Sequence, residues 1–123
     1  MKKLLKIVLV SSITLLFSSC YYDEFPEDIP VEIPPGTEVS FSEDITPIFV
    51  TYNCVQCHNA SGQNPDLTPG SEYSNLVPAY VTAGNSNDSK LYTQLTGRVN
   101  HLSVDATSLA LIELWINDGA ANN

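Results

Sequence analysis

The feature that most constrains this chain is the pentapeptide Cys54-Val55-Gln56-Cys57-His58. Two thiols three positions apart, with an imidazole next to the second, must be accommodated within one or two turns of backbone. They are two of the chain's 3 cysteines, and the third, Cys20, lies in a segment of different character. Size adds a second constraint. The 123 residues allow one small domain, and the part that reads as folded, Val39 to Asn123, is about 85 residues long. Short helices and long loops on that scale rarely bury enough apolar surface to stand alone, so such a domain needs a staple.

The first residues read as an address. Lys2, Lys3 and Lys6 form a positive start, and apolar runs follow at Ile7–Val10 and Ile13–Phe17. The pattern is that of a secretory signal, too short for a membrane span. It ends in Phe17-Ser18-Ser19-Cys20, which resembles the lipobox of bacterial lipoproteins. The resemblance implies cleavage before Cys20 and lipidation of its sulfur. An ordinary signal peptide with an incidental cysteine is the alternative. Acyl chains on Cys20 would anchor the chain durably, at about 0.8 kcal/mol per buried CH₂. The three lysines leave with residues 1–19, so the net charge moves from −9 to −12. The compartment is then outside the cytoplasm, in the envelope of a Gram-negative-type bacterium, facing the periplasm or the cell surface.

Residues 20–38 read as a tether. Pro26, Pro30, Pro34 and Pro35 block helix propagation, and Asp23, Glu24, Glu27, Asp28 and Glu32 repel one another, which favours an extended spacer.

Residues 39–123 read as an all-α domain of three to four short helices, because no stretch alternates like a strand. Ser42 is the expected N-cap of the first helix, with Glu43 and Asp44 at its positive end. Ile45, Ile48, Phe49 and Tyr52 recur at helical spacing, and Pro47 must fall in the first turn. Residues 59–70 read as a loop, and Ser71–Leu76 as a turn or two of helix. Caps among Asn85–Asp88 should start a helix through Leu91, Tyr92 and Leu95 that Gly97 stops. Asp105 or Thr107 starts a last helix with Leu109, Ile112, Trp115 and Ile116 on one face, ended by Gly119.

The spacing C-x-x-C-H is the attachment signature of c-type haem. Two thiols at that spacing can add across the two vinyl groups of one haem, and the adjacent imidazole then reaches the iron as proximal ligand. Covalent bonds hold the group without a large enclosing pocket, which suits a short chain. Other readings compete. A thioredoxin-like pair needs a strand before it and a helix after it, whereas here a helix precedes and a Gly/Asn/Pro loop follows. Zinc needs further ligands, and only His101 and carboxylates are left. A plain Cys54–Cys57 disulfide is the remaining alternative.

From Phe41 to Asn123 the chain resembles small monohaem c-type cytochrome domains of bacterial lipoproteins, of the kind found in Bacteroidota and Planctomycetes. The resemblance rests on Ser42–Phe49, the haem motif, Ala83-Gly84-Asn85 before Ser89–Tyr92, and Leu111–Ala120. It implies a cytochrome c-like fold in which the N- and C-terminal helices cross, with Phe49 and Trp115 as candidates for that contact. Cys54 and Cys57 would carry the thioethers and His58 would be the proximal iron ligand. Asn64-Pro65-Asp66-Leu67 looks like the loop whose proline carbonyl accepts the histidine Nδ1–H, so Pro65 would orient His58.

The sixth ligand is where the chain departs from that pattern. Family members commonly supply a methionine before the last helix, and here the only methionine is Met1. The equivalent loop contains His101, which is the expected distal iron ligand. A five-coordinate iron, or water or Asn100 as ligand, is the alternative. Arg98 in the same loop is a candidate contact for a haem propionate, or else a solvated charge. Tyr73, Tyr80 and Tyr92 are expected to pack around the haem.

Together these readings point to a membrane-anchored carrier of single electrons rather than an enzyme. It would be a monomeric domain with one covalent haem c, and its redox partners would have a basic docking face. The scarcity of Lys and Arg argues against nucleic acid. A haem domain with an open distal site, acting as sensor or weak peroxidase, is the second reading. A non-haem structural lipoprotein is the third.

Overall fold

The computed structural model describes residues 33–97 and 103–123. Cys20, Arg98 and His101, the signal segment and most of the tether lie outside the described residues. Among the described residues there are four α-helices and no strand: α1 (Thr46–Thr51), α2 (Glu72–Leu76), α3 (Lys90–Thr96) and α4 (Ala106–Asn117). A π-type turn, Phe41–Ile45, runs directly into α1, and a single 3₁₀ turn, Cys54–Gln56, follows it.

The helical start falls at Ser40, two residues before the expected Ser42. The Ser40 Oγ accepts the Glu43 N–H at 3.3 Å, and the Ser40 N–H donates to the Asp44 carboxylate at 2.8 Å. These two bonds satisfy donors at the helix start in the reciprocal manner of a capping box. Ser42 is engaged elsewhere. Its N–H and its Oγ donate to the Asn123 carbonyl at 3.0 and 2.9 Å. The Asn123 side-chain oxygen accepts the Phe41 N–H at 2.9 Å. The far end of the chain therefore takes up first-turn N–H groups that a local cap would otherwise have to satisfy. Pro47 stands in the first turn of α1, where its missing N–H costs no helical bond.

Asp105, not Thr107, caps α4. Its carboxylate accepts the Ser108 N–H at 3.0 Å and the Ser108 hydroxyl at 2.7 Å. Ile112, Trp115 and Ile116 are buried against Phe41, Ile45 and Ile48, while Leu109 is only half-buried. Burial of each large apolar side chain is worth about 1.5–3 kcal/mol. Trp115 lies 5.1 Å ring to ring from Phe41 and 6.5 Å from Tyr73, and its indole N–H donates to the Ala121 carbonyl at 2.9 Å. The first and last helical segments thus pack together through Phe41, while Phe49, the expected partner, joins the same apolar cluster from α1. Gly119 ends α4 with a φ of +105°, a conformation open to glycine at no steric cost.

The cap of α3 is Ser89 rather than a residue of Asn85–Asp88. Asn85 and Asp88 bond to each other instead, by side chain at 2.7 Å and through the Asp88 N–H at 3.2 Å. The buried Ser89 hydroxyl donates to the Asn85 carbonyl at 2.8 Å. The polar run therefore builds a turn before the helix. In α2, Glu72 is buried; one carboxylate oxygen accepts the Thr46 hydroxyl at 3.1 Å and the other has no hydrogen-bond partner among the described residues.

Trp115→Phe keeps the aromatic contact but removes the indole donor and opens a small void. The variant should be less stable by about 1–3 kcal/mol, read as a lower urea midpoint with unchanged slope.

Candidate functional site

The motif sits on one turn of backbone. Asn53 ends α1 in the left-handed region at φ 54°, which an asparagine tolerates better than most residues. The 3₁₀ turn then carries Cys54, and the Cys57 and His58 N–H groups both donate to the Cys54 carbonyl, at 3.2 and 2.9 Å. Side chains three apart nearly eclipse on such a turn, which puts the two thiols on one face. Both are free thiols. Cys57 is exposed, whereas Cys54 is half-buried and burial pushes its thiol above the usual range, against a smaller opposing effect of a backbone hydrogen bond.

The turn is held from outside by its own carbonyls. The Asn59 side chain donates to the Val55 and Gln56 carbonyls at 3.0 and 3.2 Å. The Gln63 N–H donates to the Cys57 carbonyl at 2.7 Å, and the Leu67 N–H to the His58 carbonyl at 3.0 Å. Gly62 lies so close that a Cβ there would overlap the Cys57 carbonyl oxygen and stand 3.3 Å from the Asn59 side chain.

The loop after the motif returns beneath the imidazole. The Pro65 carbonyl lies 3.2 Å from His58 Nδ1. A carbonyl can only accept, so this contact puts a proton on Nδ1, which selects the tautomer whose Nε2 can serve as a metal ligand. The Thr68 hydroxyl and N–H bond to the Asp66 carboxylate at 2.6 and 2.9 Å, and they hold it below the usual carboxylate range, the hydroxyl more strongly. The Asn75 side chain donates to the Asp66 carbonyl at 3.1 Å, which fixes the loop to α2.

Cys54, Cys57, His58 and Pro65 all line one cleft of about 980 Å³. That is the upper end of the range for ligand pockets, about 300–1,000 Å³. Its walls are largely apolar: Phe49 from α1, Leu67 from the loop, Leu76 from α2, Leu91 and Leu95 from α3, and Val104 before α4. Tyr80 lines it, whereas Tyr73 packs on Phe41 and Tyr92 donates to Glu113 at 2.9 Å. Tyr52 and Lys90, which no motif marks, also line the cleft. Their signal in the sequence is positional only: Tyr52 stands two residues before the first thiol, and Lys90 shares the helix of Leu91 and Leu95.

The Tyr52 hydroxyl donates to the Asp105 carboxylate and accepts the Asp105 N–H at 3.0 Å. It thereby links the end of α1 to the cap of α4. That hydroxyl, and then Ser108, hold the Asp105 carboxyl far below the usual range.

The donor set suits a tetrapyrrole attached at two thiols and ligated by one imidazole. The thiols share a face, the imidazole is oriented, and the walls are apolar. Among the described residues no three His, Cys, Asp or Glu side chains gather into a set that would hold a bare metal ion.

Asp105 is favoured as an anion by folding, so its contribution is present above the unfolded value of about 3.9 and is lost as pH falls toward the folded value. Tyr52→Phe removes the larger cause. Its thermal midpoint should start lower near neutrality and fall less than that of the parent below about pH 4. Gly62→Ala should destabilise the motif turn by about 1–3 kcal/mol in a denaturant titration.

No family model, no curated protein and no solved structure matches the chain.

Proposed function

We propose that the chain is a monohaem c-type cytochrome domain, tethered by lipid to the bacterial cell envelope, that passes single electrons between redox proteins. The observation that carries this reading is the convergence of Cys54, Cys57 and His58 on one large apolar cleft, with His58 Nδ1 against the Pro65 carbonyl. Cys54 and Cys57 would hold the haem by thioethers, and His58 would ligate the iron. The bound group would supply a one-electron iron couple, whose potential follows from axial ligand, burial and hydrogen bonding. The protein's own work is to orient the imidazole through Pro65, to exclude water with the leucine walls, and to offer a docking surface. The packing of α4 against the Phe41–Ile45 turn supports assignment to a cytochrome c-like fold.

His101 is the proposed sixth ligand and Arg98 a proposed contact of the haem edge. With the only methionine at position 1, imidazole on both faces would place the potential below that of a His/Met cytochrome. Glu38, Glu43, Asp88, Asp105 and Asp118 are exposed, which favours partners with a basic face and a salt-sensitive on-rate. Among the described residues no helix is long and apolar enough to cross a membrane, and the proposed anchor is lipid on Cys20.

Expression with haem-maturation machinery, followed by a denaturing gel stained for covalent haem, tests the reading. The parent chain should stain and Cys54→Ala/Cys57→Ala should not; a colourless parent band sinks it. In the stained protein, His101→Ala should convert a low-spin visible spectrum to high-spin. A spectrum left low-spin in both redox states would remove His101 as ligand and leave the electron-carrier reading in place.

A further inference from the structure

Among the described residues the cleft has one charged side chain that the haem motif does not use. Lys90, the first residue of α3, is the only Lys or Arg among the described residues, and it stands at the cleft rim. Its side chain is exposed, and its Nζ lies 5.8 Å from the centre of the Tyr80 ring, another lining residue. Among the described residues it forms no ion pair, although the chain has 14 acidic side chains against 5 basic ones. Asp88, its nearest acidic neighbour in sequence, bonds to Asn85, and Asp105 bonds to Tyr52 and Ser108. Tyr80 contributes a cation–π contact, which favours a charged ammonium there but does not neutralise it.

An apolar cleft with one unneutralised cation on its rim is matched to an amphiphile, a flat apolar body with an anionic edge. Such an edge would otherwise meet a repulsive field, since the chain's net charge is −9. We propose that Lys90 receives that anionic edge, pairing with a propionate carboxylate of the haem. The assignment rests on the haem reading. It differs from the expectation of Arg98 in that role, because Lys90 is placed on the cleft by α3 itself.

An electron entering the haem adds negative charge, so a nearby cation favours the reduced form. The same cation favours the ionised carboxylate. Lys90 therefore both seats the haem edge and raises the potential. Among the described residues, the other titratable groups lining the cleft are Tyr52, Tyr80, Cys54, Cys57 and His58, and none of these supplies a fixed positive charge opposite the edge.

The test uses haem-loaded parent, Lys90→Gln and Lys90→Arg, with the midpoint potential followed between about pH 4 and 9. Lys90→Gln should lie at lower potential, and the inflection due to the propionate should move to higher pH. Lys90→Arg should follow the parent. The gap between parent and Lys90→Gln should narrow at high salt. A second readout exploits the fact that Lys90 is the only lysine beyond Lys6. Acetylation of Lys90 in the haem-loaded parent should run about fivefold slower than in a short peptide of the same sequence, as expected for an exposed ion pair. Superimposed potential curves for parent and Lys90→Gln, with Lys90 acetylated at the peptide's rate, would overturn the assignment while leaving the haem reading intact. A parent chain without covalent haem would overturn both.

Discussion

The rest of this structure depends on a shortage of apolar material. The buried cluster around Trp115, Ile112, Ile45 and Phe41 closes one half of the domain. Phe49, Leu67 and Leu76 belong to that cluster and also line a cleft of about 980 Å³, where Leu91 and Leu95 are only partly buried. Apolar walls turned toward an open space are costly in water, and interiors are normally packed to near-crystalline density. The α1, α2 and α3 helices, of six, five and seven residues, are too short to be stable by themselves. They are held in place by what they pack on. A rigid, flat, covalently attached occupant would supply the missing half of the core.

Rigidity is concentrated where attachment would occur. Every carbonyl from Cys54 to His58 is occupied by a donor from within the motif or from the loop behind it. The turn that carries the thiols is therefore defined by backbone bonding and needs no ligand to shape it. The Pro65 carbonyl is in turn positioned by the Asp66–Thr68 turn and by Asn75. This is a layered support of the kind that tunes a ligating histidine.

How much of this was legible in the sequence follows from the range of the interactions involved. The all-helical class, Pro47 in a first turn, the buried face of α4 and its stop at Gly119 are local properties, read from spacing and side-chain type. The motif was legible because its chemistry is contained in five consecutive residues, and the Pro65 contact because its loop resembles a known one. The caps were not. Ser42 was displaced by Asn123, which is distant in sequence, and the Asn85–Asp88 run closed on itself. Tyr52 and Lys90 were missed as cleft residues because nothing in their neighbours distinguishes a side chain on the rim from one in solvent. Only the relative placement of α1, α3 and α4 does so.

The bonds between Phe41, Ser42 and Asn123 have a consequence for how such a domain can be used. The chain enters the helical fold and leaves it at the same point, with entry and exit directly hydrogen-bonded to each other. A unit closed in this way occupies almost no length along a polypeptide that contains it. It can hang from a tether or sit in a surface loop of a larger protein without spreading the attachment points, which is the geometry that makes a domain easy to insert. The half that holds the motif cleft would then be carried as a pendant, with its orientation set by the short segment leading into Phe41.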